Sequence, residues 1–193
     1  MNKKKLLKHI KQNIDINESD EEGILDYFDF KSFSKKTFLL TEGKISRNEY
    51  FIISGCVRVF VTDNSGLEHN LSFNSENWWA GDLKSFVKNE AATYSIQALE
   101  DTVALQISHN SWVDMLINIP EMEKYFRIMF QNAVVAQQTR IVESISNTAE
   151  ERYFSFIKSY PTLIQRISQK HIASYLGITP ESLSRIRKEI SKS

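Results

Sequence analysis

Residues Gln169 to Lys188 read QKHIASYLGITPESLSRIRK, and the rest of the chain is organised around them. Ile172, Ala173 and Leu176 share one face of a first helix. Gly177 follows at once, where a helix ending takes a residue that tolerates positive φ. Thr179 can cap a second helix through its hydroxyl, Pro180 suits the first helical position, and Glu181 favours the positive end of the helix dipole. Leu183, Ile186 and Ile190 then recur as an inward stripe, and the small Ala173 falls where the two helices press together. Pro180, Glu181, Ser184, Arg185 and Lys188 lie on the opposite face. Together these positions make a helix-turn-helix, whose second helix enters the major groove of DNA.

A plain helical hairpin shares much of this pattern, and charge separates the two. From Arg152 to Ser193 there are eight Lys or Arg against two Asp or Glu, whereas residues 1–151 hold sixteen against twenty-two. A formally neutral chain therefore carries a basic C-terminal module on an acidic body, the distribution of a nucleic-acid footprint.

The 193 residues allow one large or two small domains, and 41% apolar residues support a substantial core. No run approaches the ~20 apolar residues of a membrane span. The start, MNKKKLLKHIKQNI, has no apolar central region or small-residue cleavage site and is not read as a signal peptide. Cys56 is the single cysteine, so an intrachain disulfide and a cluster of iron and sulfur held by the cysteines of one chain are both excluded. The cytoplasm is the simplest location for such a chain. His9, His69, His109 and His171 are scattered without metal-ligand spacing, and no metal site is expected. No phosphate-binding loop, nucleophile elbow or dinucleotide fingerprint occurs. A cupin-like metal enzyme needs several histidines on its strands, but residues 33–107 contain only His69. An enzyme is not expected.

Lys3 to Ile16 places Leu6, Leu7, Ile10 and Ile14 on one helical face, with lysines forming a solvated surface around it. Ser19 and Glu22 suggest a capping box, with a second helix continuing through Gly23 to Phe30. The period then shortens to that of strands. Thr37 to Leu40, Tyr50 to Val61 broken at Gly55, Leu67 to Phe73, and Tyr94 to Ile107 around Glu100-Asp101 predict an antiparallel barrel or jelly-roll. Val57, Val59 and Val61 alternate with Arg58, Phe60 and Thr62, as in a strand with one buried face. A short helix is expected over Ser111 to Ile119. Glu121 to about Ser146 is the longest helical stretch, where Met122, Phe126, Met129, Ala133 and Ala136 step by a coiled-coil spacing and predict a dimer seam. Asn147 or Thr148 with Glu150 or Glu151 starts a further helix that halts near Pro161.

The fold class is α+β: an N-terminal antiparallel β-roll or jelly-roll with flanking helices, a long dimerisation helix, and a C-terminal helix-turn-helix domain. The expected units are a sensory domain over 1–120, the dimerisation helix over 121–146 and the DNA-binding domain over 147–193.

This order, together with Glu42-Gly43, YFIISGCVRVFV from Tyr50, Gly81-Asp82 and the helix-turn-helix, resembles the Crp/Fnr superfamily of bacterial transcription regulators. The resemblance implies a β-roll of the cyclic-nucleotide-binding type, a homodimer on a near-palindromic double-stranded DNA site, and contact with RNA polymerase. It also implies DNA contacts by Gln169, Lys170, Thr179, Pro180, Glu181, Ser182, Ser184, Arg185 and Lys188. Glu181 and Arg185 match base-contacting positions, while Pro180 stands where cyclic-AMP-binding members have an arginine. The family's phosphate cassette starts Gly-Asp and supplies a Glu for the ribose and an Arg with Ser or Thr for the cyclic phosphate. Here Phe86 occupies the Glu position, and Ala92-Thr93 occupies the other. A phosphate buried without its arginine carries a large desolvation cost, so cyclic AMP is not expected to bind. Lys84 and Lys88 are the nearby cations, and Trp78 and Trp79 precede Gly81 as candidate pocket-lining residues. The effector stays open between a cyclic nucleotide, another small molecule, a haem and none. The alternatives are a ligand-sensing module that acts through protein–protein contacts and the cupin-like enzyme. Because the chain stops three residues after Ile190, the wing hairpin common in the superfamily is expected to be minimal or absent.

Overall fold

The computed structural model describes residues 3–190. The stretch after Ile190, where the wing is expected to be minimal or absent, lies outside that range. Two helices open the chain, α1 (Lys4–Lys11) and α2 (Glu18–Asp26). Leu6 and Ile10 on α1 are fully buried, and each such side chain contributes roughly 1.5–3 kcal/mol. Helix α2 departs from expectation at both ends. It starts after Asn17, so Ser19 sits inside its first turn and caps nothing, and it ends at Asp26. Phe30 belongs instead to strand β1 (Asp29–Phe33), whose backbone pairs with a distant strand and thereby overrides the local helical signal.

Strands β2 (Phe38–Leu40), β3 (Asn48–Ser54), β4 (Val57–Thr62), β5 (Glu68–Asn74), β6 (Trp79–Ala80), β7 (Ser95–Ala98) and β8 (Thr102–Ser108) complete the roll. One sheet runs β1-β8-β3-β6 and the other β2-β7-β4-β5. Every pairing is antiparallel, with Phe51 opposite Leu105 and Val59 opposite Ile96. Helix α3 (Leu83–Lys88), not anticipated, follows β6. Then come α4 (His109–Asn118), α5 (Glu121–Ser146), α6 (Ala149–Ser159), α7 (Gln169–Leu176) and α8 (Pro180–Ile190). Thr148 and Glu151 form the capping box that starts α6.

Three apolar clusters hold the molecule together. Between the sheets lie Phe33, Leu40, Tyr50, Ile52, Val57, Val59 and Ile96. On the outer face of the first sheet, Phe51, Ile53 and Leu105 pack against α1, α2, α4 and α5. Both faces of β3 are thus covered, which is why its sequence is a continuous apolar run rather than an alternation. The third cluster joins Cys56 and Phe73 of the roll to Tyr153, Phe156, Ile172, Ala173, Leu176 and Leu183. The helix-turn-helix therefore packs directly on the roll.

This docking corrects the expectation for β4. Arg58 and Phe60 are 4% and 3% exposed, so the face opposite the valines is buried too. The Arg58 guanidinium lies 3.9 Å over the Phe60 ring and donates to Gln97 Oε1 and to Glu68, and α7 covers that surface.

Candidate nucleic-acid interface and effector pocket

Local chemistry builds the helix-turn-helix. The Ser168 hydroxyl accepts the His171 N–H and caps α7. Gly177 ends α7 at φ 68°, a conformation that L side chains avoid, and Ile178 N–H returns to the Ala173 carbonyl at 3.0 Å. The Thr179 hydroxyl accepts from Ser182 N–H at 3.2 Å and caps α8. Leu183 is fully buried against Ala173's cluster, and this turns the other side of α8 outward. Pro180, Glu181, Ser184, Arg185 and Lys188 are exposed there, as are Gln169, Lys170 and Thr179. Ser182 is half-buried, and its hydroxyl is engaged with that of Thr179. The Glu181 carboxyl is held below its ordinary value by its own backbone N–H and by the Thr179 hydroxyl, so it is a carboxylate acceptor. One guanidinium, one ammonium and one carboxylate thus share an exposed helix face, a set suited to base edges and phosphates.

His171 behaves otherwise than a solvent- or phosphate-facing residue. It is half-buried between α7 and the roll, beside Arg58 and Asn70. Burial first, and the Arg58 charge second, push its pKa down.

The expected effector residues separate into two groups. Asp82 is buried and caps α3, accepting from Ser85 N–H at 3.0 Å and Thr93 N–H at 3.2 Å. Phe86 is buried against His109 and Trp112, and Ala92 is buried in the inter-sheet core. Lys84 is exposed and paired with Glu90 at 3.2 Å. The two tryptophans do not line this region. Trp79 packs against Phe28, Phe51, Tyr125 and Phe126, and its indole N–H donates to Tyr125. Trp78 is half-exposed and faces Tyr160. Trp79 opens β6 while Trp78 ends the turn before it, and this parts the pair.

A residue missed in the sequence stands at this place. The Glu49 carboxylate lies so close to Gly81 that a Cβ there would sit about 2 Å from it. Its Oε1 is buried without a hydrogen-bond partner, and burial together with the Asp82 charge raises its pKa to about 8. That value keeps the Glu49 carboxyl largely protonated near neutral pH, so it adds little charge beside Asp82.

Helix α5 also needs correction. Met122 is fully buried and Phe126 is 5% exposed in the chain's own core, so the first two members of the expected seam are already occupied; Met129 packs on the same cluster. Ala133 and Ala136 are exposed. The uncovered apolar stripe lies on another face: Val134, Val135, Ile141, Val142 and Ile145 are 52–81% exposed. An apolar groove of about 710 Å³ between Trp112, Leu116, Phe126, Phe130 and Val134 continues it.

Among the described residues, no three His, Cys, Asp or Glu side chains converge to hold a metal ion, and no helix is long and apolar enough to cross a membrane. The Cys56 thiol is pushed up to about 12 by burial.

Comparison with known proteins gives a consistent pattern. Residues 30–118 match the cyclic nucleotide-binding domain family. The fumarate and nitrate reduction regulatory protein of Vibrio cholerae serotype O1 is 24% identical over 176 residues, covering 84% of this chain and 69% of that protein. The anaerobic regulatory protein of Aggregatibacter actinomycetemcomitans is 26% identical over 172 residues, covering 81% of this chain and 64% of that protein. The chain therefore spans about two thirds of the length of these curated relatives. FixK2 from Bradyrhizobium japonicum superposes with a TM-score of 0.76 at 16% identity, covering 86% of this chain and 85% of that one, which shows the shared fold.

Proposed function

We infer that this chain is a member of the Crp/Fnr superfamily of transcriptional regulators, and a dimeric, sequence-specific DNA-binding regulator that does not answer to cyclic AMP. The observation that carries the reading is α8, with Leu183 buried on one side and Glu181, Arg185 and Lys188 exposed on the other. The regulatory names of the relatives support a regulator rather than an enzyme. In this reading residues 1–120 sense, 121–146 join two copies and 147–193 bind a near-palindromic duplex. RNA polymerase is the downstream partner, and the cytoplasm is the compartment. Dimerisation is supported by the exposed stripe of Val134, Ile141, Val142 and Ile145, whose spacing of seven, then three or four, suits a coiled-coil seam.

The lack of cyclic AMP binding is supported by Phe86 and Ala92, both buried at positions where a phosphate-binding pocket needs polar partners. The test has two arms. Selection from a random duplex pool should return a palindromic site with half-sites about 34 Å apart. Calorimetric titration with cyclic AMP should give no micromolar binding. Failure to retain any duplex overturns the DNA reading, and micromolar cyclic AMP binding overturns the effector reading.

A further inference from the structure

A cavity of about 310 Å³ opens where β5, the end of α5, α6 and α7 meet, at the lower end of the size range of small-ligand sites. Arg140 and Arg152 line it, and Glu143 is the single acid among its described lining residues. Arg140 donates to the carbonyls of Leu71, Asn70 and Tyr175 and lies 4.1 Å over the Tyr175 ring. Arg152 donates from Nε to the Leu176 carbonyl at 3.2 Å and from Nη1 to the Asn147 carbonyl at 2.7 Å. Among the described residues neither guanidinium has a carboxylate within salt-bridge distance, so their charges face neutral acceptors only. Ser155 and Ser174 add hydroxyls to the wall. Asn70, 2% exposed, also lines the cavity; its Nδ2 donates to the His171 carbonyl at 3.1 Å, while its Oδ1 is buried without a partner.

We propose that this cavity binds a small phosphomonoester. Two guanidinia against one carboxylate leave an excess of positive charge in a partly desolvated space, and planar forks of N–H donors match a phosphate. The serine hydroxyls can donate to the remaining phosphate oxygens. The guanidinia already hold carbonyls of both the roll and α7, so a bound ligand would sit across the joint between them. The site is separate from the Gly81-Asp82 region, and it stands whether or not α8 reads DNA.

The test is a titration of the full chain with inorganic phosphate and with glycerol 3-phosphate, followed by amide NMR and calorimetry. Both probes should shift the Ser155, Ser174 and Gly177 amides saturably. Arg152→Gln should weaken binding by an order of magnitude, Arg152→Lys by less, and Ser155→Ala, which leaves the helix intact, severalfold. No saturable shift at millimolar probe, shifts confined to residues 179–188, or binding indifferent to both Arg152→Gln and Ser155→Ala would each overturn the proposal.

Discussion

Nδ1 of His171 lies 3.5 Å from Nη1 of Arg58, joining the first helix of the DNA-binding motif to strand β4. The arrangement suits a neutral imidazole, since a protonated ring would lose its acceptor and meet a second cation. Glu68, paired with Arg58 at 2.6 Å, and Lys170 are the other charges acting on the ring. The folded-state pKa of His171 is depressed below 6.5, so its contribution to docking is present above that value and is lost as pH falls through the depressed folded value. The Asn70 amide, which donates to Ser174 Oγ across the same joint, reports on docking. Its hydrogen-exchange protection should fall on acidification, and His171→Gln should flatten that dependence. Protection of the Asn70 amide that stays constant with pH in the parent protein would sink the idea.

The seam on α5 is tested by charge placement. Ile141→Glu puts a carboxylate in the exposed stripe and should weaken the dimer by about tenfold or more, roughly 1.4 kcal/mol. Ala136 lies roughly 140° round the helix from Ile141 at 3.6 residues per turn, so Ala136→Glu should leave the dimer intact. Sedimentation velocity distinguishes the outcomes. The reverse pattern would restore the seam through Met129, Ala133 and Ala136.

The helix-turn-helix and the face of α5 are not equally legible in the sequence. Gly177, Thr179 and Pro180 act on their own neighbours, so the helix-turn-helix and its bounds could be read locally. Thr148 and Glu151 are the same kind of signal. The face of α5 is not local, because apolar residues lie on more than one side and only the packing of Met122 and Phe126 under the roll shows which side is spent. Alternation alone places Arg58 on a solvent face, because it reports a strand's two faces and not what covers them. Glu49 gave no signal at all. It precedes an aromatic pair in a chain rich in charge, and only the return of Gly81 against it through the β3–β6 pairing makes it unusual. The one available hint was its neighbour: a glycine before Asp82 leaves room for a side chain from another strand.

Glu49 gives a pH prediction of the opposite sign to His171. Its folded pKa of about 8 lies above the ordinary 4.5. Below 4.5 the carboxyl is neutral in both states and costs nothing. Between 4.5 and about 8 the unfolded chain ionises while the folded chain resists, so stability falls as pH rises. At 1.36 kcal/mol per unit the loss is on the order of 5 kcal/mol at the alkaline end. Glu49→Gln should remove this slope and raise the melting temperature most above neutrality. Parallel melting curves for the two proteins across the range would show that the carboxyl is solvated.

Reading and gripping of DNA separate on α8. Arg185 is exposed and carries the fork that matches guanine O6 and N7, while Glu181 can accept from a cytosine amino group. Arg185→Ala should cost about 1–3 kcal/mol per half-site and relax preference at one base position. Lys170 and Lys188, near the two ends of the exposed surface, suit phosphate. Replacing either should weaken all sequences alike and reduce the salt slope by roughly one counterion. Matched and mismatched operators titrated across a salt series distinguish the two signatures. Were Arg185→Ala uniform and salt-linked like Lys188→Ala, Arg185 would be gripping the backbone and the reading face would be rotated about the helix axis. With Leu183 buried against Ala173's cluster, that rotation is limited to the exposed arc from Glu181 through Arg185 to Lys188. Ser184 is then the next residue to test, because it shares the arc and its short hydroxyl reaches a base only if the helix lies deep in the groove.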